Sequence, residues 1–220
     1  MIRLADVNKD YRTRGGPVRV LRNIHLTIRQ GERVGILGRN GAGKSTLIRI
    51  VSGAELPTSG VVERAMSVSW PLAFGGAFQG SLTGLDNLRV ICRIYGVDAA
   101  ERIGFVEEFS ELGLYLREPV KTYSSGMRAR LAFAISMVID FDCFLIDEIV
   151  AVGDARFHAK CNHELFVNRG DRAMIIVSHN ADYIREHCSR AAVLVDGELH
   201  HAGSLDEAFA FYDEQTALAA

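Results

Sequence analysis

The chain has little to brace it covalently and nothing to anchor it in a membrane. Its four cysteines, Cys92, Cys143, Cys161 and Cys188, are scattered with no CxxC pair. Cys143 and Cys161 flank an acidic stretch, but at a separation unlike zinc spacing. This excludes a disulfide framework, and reduced, structural thiols of a cytosolic protein are expected. No run reaches the 18 or more apolar residues that a membrane span needs; Leu131 to Ile139 stops at Asp140. The opening residues, MIRLADVNKDY, lack the charged start and apolar core of a signal peptide. No linker rich in Pro and Ser, low-complexity tract or internal repeat divides the chain. An excess of one charge is missing too. With 25 basic against 27 acidic residues the net charge is −2, which argues against a general nucleic-acid binder.

What is present is a 220-residue chain that is 48% hydrophobic, ample for the core of one large domain or two small lobes. The first third is strand-rich: IRLADV, LRNIHLTI and RVGILG are short β-like runs separated by RTRGGP and RQGE. KSTLIRIVSG reads as a helix ending at Gly53, followed by a loop, ELPTSG. From about 81 to 140 apolar residues recur at three- and four-residue spacing, the helical period. The last third alternates CFLID, a helix, AMIIVSH, a helix and RAAVLVDGE, the pattern of βα units around a parallel sheet. One unit with a helical insertion is expected.

The first chemical motif is GRNGAGKST, Gly38 to Thr46, between a strand and a helix. It satisfies GxxxxGK[ST] in full. The glycines (Gly38, Gly41, Gly43) permit a turn in which backbone N–H groups, with those of Arg39, Asn40 and Ala42, converge on phosphate oxygens. The helix N-terminus favours the same anion. Lys44 brings a cation to the β- and γ-phosphates, and the Ser45 hydroxyl suits Mg²⁺. The second motif is FLIDEIVAVGD, Phe144 to Asp154. A buried carboxylate left unpaired is costly, so Asp147 needs a cation. It fits the acid that holds Mg²⁺ beside Ser45. Glu148 is placed to orient or deprotonate an attacking water, or else is a solvated carboxylate at a strand end.

The third motif is YSSGM, Tyr123 to Met127, opening the helix before the acidic strand. Ser124 and Gly126 offer a hydroxyl and a backbone N–H for a second anion cradle. One nucleotide does not need two cradles from one chain, so a head-to-tail dimer is the natural arrangement. These motifs, in this order, resemble the ATP-binding subunits of ABC transporters over nearly the whole length. YSSGM is similar to the signature LSGGQ, with Tyr123 for Leu, Ser125 for Gly and Met127 for Gln. The resemblance implies an ABC-type P-loop NTPase fold of the α/β class. Its core holds a mainly parallel sheet, with an N-terminal antiparallel β subdomain and an inserted helical subdomain at about 81–140 of one 1–220 domain. It implies ATP and Mg²⁺ as cofactors, His179 as the switch histidine that senses the γ-phosphate, and Tyr11 as the aromatic that stacks on adenine. It further implies Asp154 as the loop aspartate crossing the dimer interface. Gln79 would be the glutamine that ligates Mg²⁺ and reports to the membrane partner. It lies only four residues before Thr83, where the family has a longer gap; Phe74 is nearer the usual count, and an ordinary loop amide is the other reading.

The run DEIVAVGD lacks the usual proline after the acidic pair and, with SLTGLDNL, resembles the subfamily that exports capsules, O-antigens and teichoic acids. The stretch from Trp70 to Asp98 is similar to capsule exporters of Gram-negative bacteria. The chain stops at FAFYDEQTALAA, so no carbohydrate-binding extension is expected, which favours capsule over O-antigen. The resemblance implies a homodimer of ATPase subunits working peripherally at the cytoplasmic face of the inner membrane with a permease dimer. The permease would dock near Gln79 to Arg93, unless that is an ordinary amphipathic helix. A periplasmic co-polymerase-type protein and an outer-membrane channel complete the route. O-antigen or teichoic acid export is the alternative. A soluble ATPase acting on ribosomes or DNA is a second, which one phosphate loop and the absence of heptads argue against. His158 and His163, five apart on an expected helix, share no face well and read as surface or packing residues.

Overall fold

A computed structural model describes residues 1–72, 78–147, 154–178 and 180–217. The chain divides into two compact units. The first comprises Met1–Ser69, Phe141–Glu148 and Gly170–Ala220; the second comprises Trp70–Asp140 and Ile149–Arg169.

The first unit holds two sheets. Strands β1 (Ile2–Thr13) and β2 (Gly16–Ile28) form a hairpin, and β3 (Arg33–Leu37) belongs to the other sheet. Strand β4 (Ser59–Arg64) pairs with β1 from the far side, giving an antiparallel order β2-β1-β4. The apolar residues of β1 run Ile2, Leu4, Val7, and those of β2 run Leu21, Ile24, Leu26, Ile28. Each series has one spacing of three. Bulges absorb the extra residues, with shifts between Leu4 and Val7 and between Val7 and Lys9, and with Asp6 and Asn23 at φ 52° and 44°. The apolar face thus stays inward along both long strands.

The second sheet uses β5 (Val68–Pro71), β6 (Cys143–Asp147), β7 (Ala173–Val177), β8 (Arg190–Val195) and β9 (Glu198–His201), in the order β5-β6-β7-β3-β8-β9. Strands β6, β7, β3 and β8 are parallel, and β9 pairs antiparallel at one edge. Their continuous apolar runs suit strands covered on both faces. Helix α1 (Lys44–Ser52) contributes Leu47, Ile48, Ile50 and Val51 to one apolar core with both sheets. It stops at Gly53, which takes φ 82°, as a C-terminal glycine does. Strands β4, β5 and β9 and the helix at Leu205–Ala217 are additional to the elements the sequence pattern gives.

The second unit is helical. Helix α2 (Gly84–Tyr95) starts at Thr83, whose side chain accepts the Asp86 N–H. Helix α3 (Ala100–Ser110) is followed by two 3₁₀ turns, and α4 (Ser125–Val138) buries every side chain from Leu131 to Val138. Helix α5 (Ala155–His163) runs into a π turn at Glu164–Asn168. Phe109 stacks on Phe133 at 5.5 Å, and Phe157 meets both edge-on. This aromatic centre joins α3, α4 and α5. The first unit continues with α6 (Ala181–His187) and ends with α7 (Leu205–Ala217). All four cysteines are buried and unpaired; burial pushes the Cys143, Cys161 and Cys188 thiols up to about 12, which makes them inert.

Candidate functional site

Strand β3 delivers the chain to Gly38 at the C-terminal edge of the parallel sheet. Gly38 is buried, and a Cβ there would lie 2.6 Å from the Leu194 carbonyl oxygen, so no other residue fits. The loop turns back at Ala42, whose N–H donates to the Arg39 carbonyl. It enters α1 through Gly43 at φ 107°, where a Cβ would press on Leu21 and the Val20 carbonyl. The first turn of α1 carries no acidic residue, so its N-terminal dipole is left for an anion. Lys44 is buried, and its ammonium donates to the carbonyls of Gly38 at 2.5 Å and Arg39 at 3.0 Å. The loop thereby holds its own cation in place.

Asn40, Gly41, Gly43, Lys44, Ser45, Thr46 and Asp147 line one cavity of about 270 Å³, with Val20 of β2 as a further wall. Gly38 is buried and outside its lining, Arg39 is exposed and Ala42 is half-buried. Asp147 arrives from the end of β6, two strands away from β3. The cavity therefore brings together backbone donors, the Lys44 ammonium, the Ser45 and Thr46 hydroxyls and the Asp147 carboxylate. The Ser45 hydroxyl and Asp147 carboxylate are hard oxygen donors of the kind Mg²⁺ takes while keeping several waters, so the residues present fit that ion.

Tyr11 stands on β1 opposite Val18 of β2. Its hydroxyl donates to Glu55 Oε2 at 2.8 Å, accepts from Arg49 Nη2 at 3.1 Å and lies 3.5 Å from Thr46 Oγ1. Thr46 also lines that cavity, so the Tyr11 hydroxyl reaches a residue of its wall. Glu55 binds Lys9 at 2.8 Å and Arg49 at 3.0 Å. The Lys9 bond, then those from Tyr11 and Arg49, hold its carboxyl down at about 2. Sequence reading missed Lys9, Arg49, Glu55 and Val20. The available signal was Glu55 lying just past the helix end, within reach of Arg49 in the last turn.

The remaining expected residues among the described ones belong to the second unit. Ser124 is the N-cap of α4; its Oγ accepts the Met127 N–H at 3.2 Å and keeps its own proton to donate. Ser125 is exposed and Gly126 half-buried, at a helix start with no acidic residue in the first turn. Tyr123 is different: its side chain is buried and its hydroxyl donates to the Tyr115 carbonyl, so it packs rather than presents itself. Asp154 caps α5 by accepting the Phe157 N–H at 2.9 Å, and its other oxygen accepts from Arg130 at 3.1 Å. Those contacts hold its carboxyl below the ordinary value, the Phe157 N–H foremost. Arg130 also reaches Glu111 at 3.2 Å and lies over the Phe157 ring at 4.5 Å. Gln79 is exposed, and its backbone is tied to Asn87 through both its N–H and its carbonyl. Glu148 and His179, the two expected catalytic residues, and Phe74 lie outside the described residues.

A family model described as ABC transporter matches residues 21–151, more than half of the chain. The chain belongs to the ABC transporter family. The ATP-binding protein BexA of Haemophilus influenzae is 59% identical over 214 residues, covering 97% of this ABC chain and 99% of that protein. The capsule polysaccharide export ATP-binding protein CtrD of Neisseria meningitidis serogroup B is 57% identical over 213 residues, again 97% and 99%. A solved dimeric ATP-binding cassette, in a post-hydrolysis state with ADP and Pi, superposes with TM-score 0.78. It covers 93% of this ABC chain and 99% of its own at 23% identity, which shows a shared fold. The expected α/β architecture, with its antiparallel N-terminal sheet and helical insertion, is the one found.

Proposed function

We propose that the chain is the ATP-hydrolysing subunit that powers export of capsular polysaccharide across the inner membrane. The observation that carries this reading is its end-to-end likeness to a capsule polysaccharide export ATP-binding protein, matched over 99% of that protein. The cavity of backbone donors, Lys44, Ser45 and Asp147 supports the chemistry. In this reading ATP lays its phosphates on the loop 38–46, with Lys44 leaving the Gly38 and Arg39 carbonyls to face the β- and γ-oxygens. Ser45 and Asp147, with Gln79 as a further ligand, would hold Mg²⁺, which neutralises developing phosphate charge when bound. Tyr11 stacks on the adenine.

Glu148 accepts a proton from the attacking water and His179 contacts the γ-phosphate. Ser124, Ser125 and Gly126, with Tyr123 packed behind them, cover the phosphate of a partner copy, and Asp154 crosses between the copies. Closing and reopening of the homodimer would drive a separate permease dimer, with the chain held peripherally at the cytoplasmic membrane face. A periplasmic co-polymerase-type protein and an outer-membrane channel would take the polymer onward.

The test is Glu148→Gln in the organism that carries the gene. A general base removed slows hydrolysis by about 10²–10⁴-fold, so capsular polymer is expected to accumulate inside the cell. Normal surface capsule with the variant expressed would overturn the cargo. A different trapped polymer, such as O-antigen or teichoic acid, would reassign it.

A further inference from the structure

A stacking platform works only as well as it is held. A phenol on a two-stranded hairpin has two side-chain rotations to lose when a base lies on it, and that loss counts against binding unless the ring is already fixed. The surroundings of Tyr11 fix it. Its one proton goes to Glu55 Oε2 at 2.8 Å and one lone pair takes the Arg49 Nη2 proton at 3.1 Å. Arg49 Nε binds the same Glu55 oxygen at 3.0 Å, closing a triangle of guanidinium, carboxylate and phenol. The other Glu55 oxygen binds Lys9 at 2.8 Å, whose ammonium also reaches the Leu56 carbonyl and lies 5.1 Å from the Tyr11 ring centre. Lys9 and Glu55 are largely buried, with side chains 14% and 21% exposed, so this is a built cluster rather than a loose surface pair.

We propose that Glu55, supported by Lys9 and Arg49, is a positioning residue for nucleotide binding that locks the Tyr11 ring as the platform for the base. The proposal rests on the base-stacking reading of Tyr11 given above. Lys9 takes one face of the ring as a cation–π partner, and the base takes the other. The cluster is anchored at α1 through Arg49 and Thr46, and α1 begins at the phosphate loop. The Tyr11 hydroxyl, on β1, and the phosphate loop are therefore both tied to α1, so the base platform and the phosphate cradle are held through one helix. An ion-pair cluster that merely tied the helix end to β1 would support both ends of the ligand alike.

The experiment measures MgATP and magnesium tripolyphosphate affinity calorimetrically for the full chain. The variants are Tyr11→Ala, Tyr11→Phe, Glu55→Ala and the pair Tyr11→Phe with Glu55→Ala. Tyr11→Phe and Glu55→Ala are each expected to weaken ATP about three- to tenfold, the range of one ordinary hydrogen bond, because the contact acts on the ring and not on the ligand itself. The pair should be no worse than either alone, because both remove the same contact. Tripolyphosphate should bind all variants like the parent chain.

Unchanged ATP affinity in Tyr11→Ala would overturn the base-platform reading itself. Loss in Tyr11→Ala but none in Tyr11→Phe or Glu55→Ala would overturn the positioning role alone. Additive losses in the pair, or equal losses of ATP and tripolyphosphate, would also overturn it. Tyr11→Phe keeps the ring and its packing, so the result stands even if Glu55→Ala does not fold.

Discussion

Lys44 shows how one side chain serves both the loop and its ligand. Its ammonium ties the Gly38 and Arg39 carbonyls together, so the same donors that would face phosphate keep the turn closed. Lys44→Ala removes both contacts. Nucleotide affinity is expected to fall about 10- to 100-fold, as for loss of a charge-assisted bond, with the folded state retained; unchanged affinity by calorimetry would contradict the role. This residue was legible in the sequence because phosphate binding by backbone donors demands glycine and lysine at fixed positions. The partners of Tyr11 were not. Lys9 lies far along the chain from Arg49 and Glu55, each is an ordinary charged residue taken alone, and only folding brings all three around one phenol. Tyr123 misleads for the opposite reason. Its place in the signature suggests a ligand contact, yet burial and the Tyr115 carbonyl claim its side chain.

At the scale of elements, helices α4 and α5 are joined by Arg130. Its guanidinium binds Glu111 at the end of α3 and Asp154 at the start of α5, and lies over Phe157. Lys160 adds a second tie to Glu111 at 3.1 Å. Arg130→Ala is expected to destabilise by about 1–3 kcal/mol, through two partly exposed ion pairs and one cation–π contact. Denaturant unfolding measures this, and Arg130→Lys should recover only part, since an ammonium lacks the fork that reaches two carboxylates. A loss below about 0.5 kcal/mol, the scale of a neutral surface change, would mean the aromatic packing alone holds these helices. Element boundaries with chemical markers were legible: Ser124 before α4, Gly53 after α1, and the buried strands around the phosphate loop. Strand β4 was not, because SGVVER is short and leaves Val61 half exposed, so its apolar pattern is faint.

For the whole molecule, the proposed functional groups sort by unit. Tyr11, the loop 38–46 and Asp147 belong to the first unit, whereas Ser124, Ser125, Gly126 and Asp154 belong to the second. If two copies pair head to tail, one unit of each chain receives the nucleotide and the other unit donates the cover. A chain with Lys44→Ala and a chain with Ser124→Arg should each be inactive alone. Mixed in equal amounts, half the dimers would pair them, each with one of its two sites intact, giving about one quarter of the parent's working sites. Activity restored on mixing, read as ATP hydrolysis per chain, is expected; none would count against sharing across copies. The pairing of Arg130 with Asp154 has a further meaning for heredity. Because Arg130 ties the start of α5 to α4, Ser124 and Asp154 share one bonded frame, and in the head-to-tail reading mutations in that donating half are answerable to a neighbour's sequence as well as to their own. In a cell with two versions of this gene, a damaged donor half spoils the other allele's pocket. A fault in either half would leave a mixed dimer one of its two sites, so a damaged cover and a lost phosphate loop would be masked to the same degree.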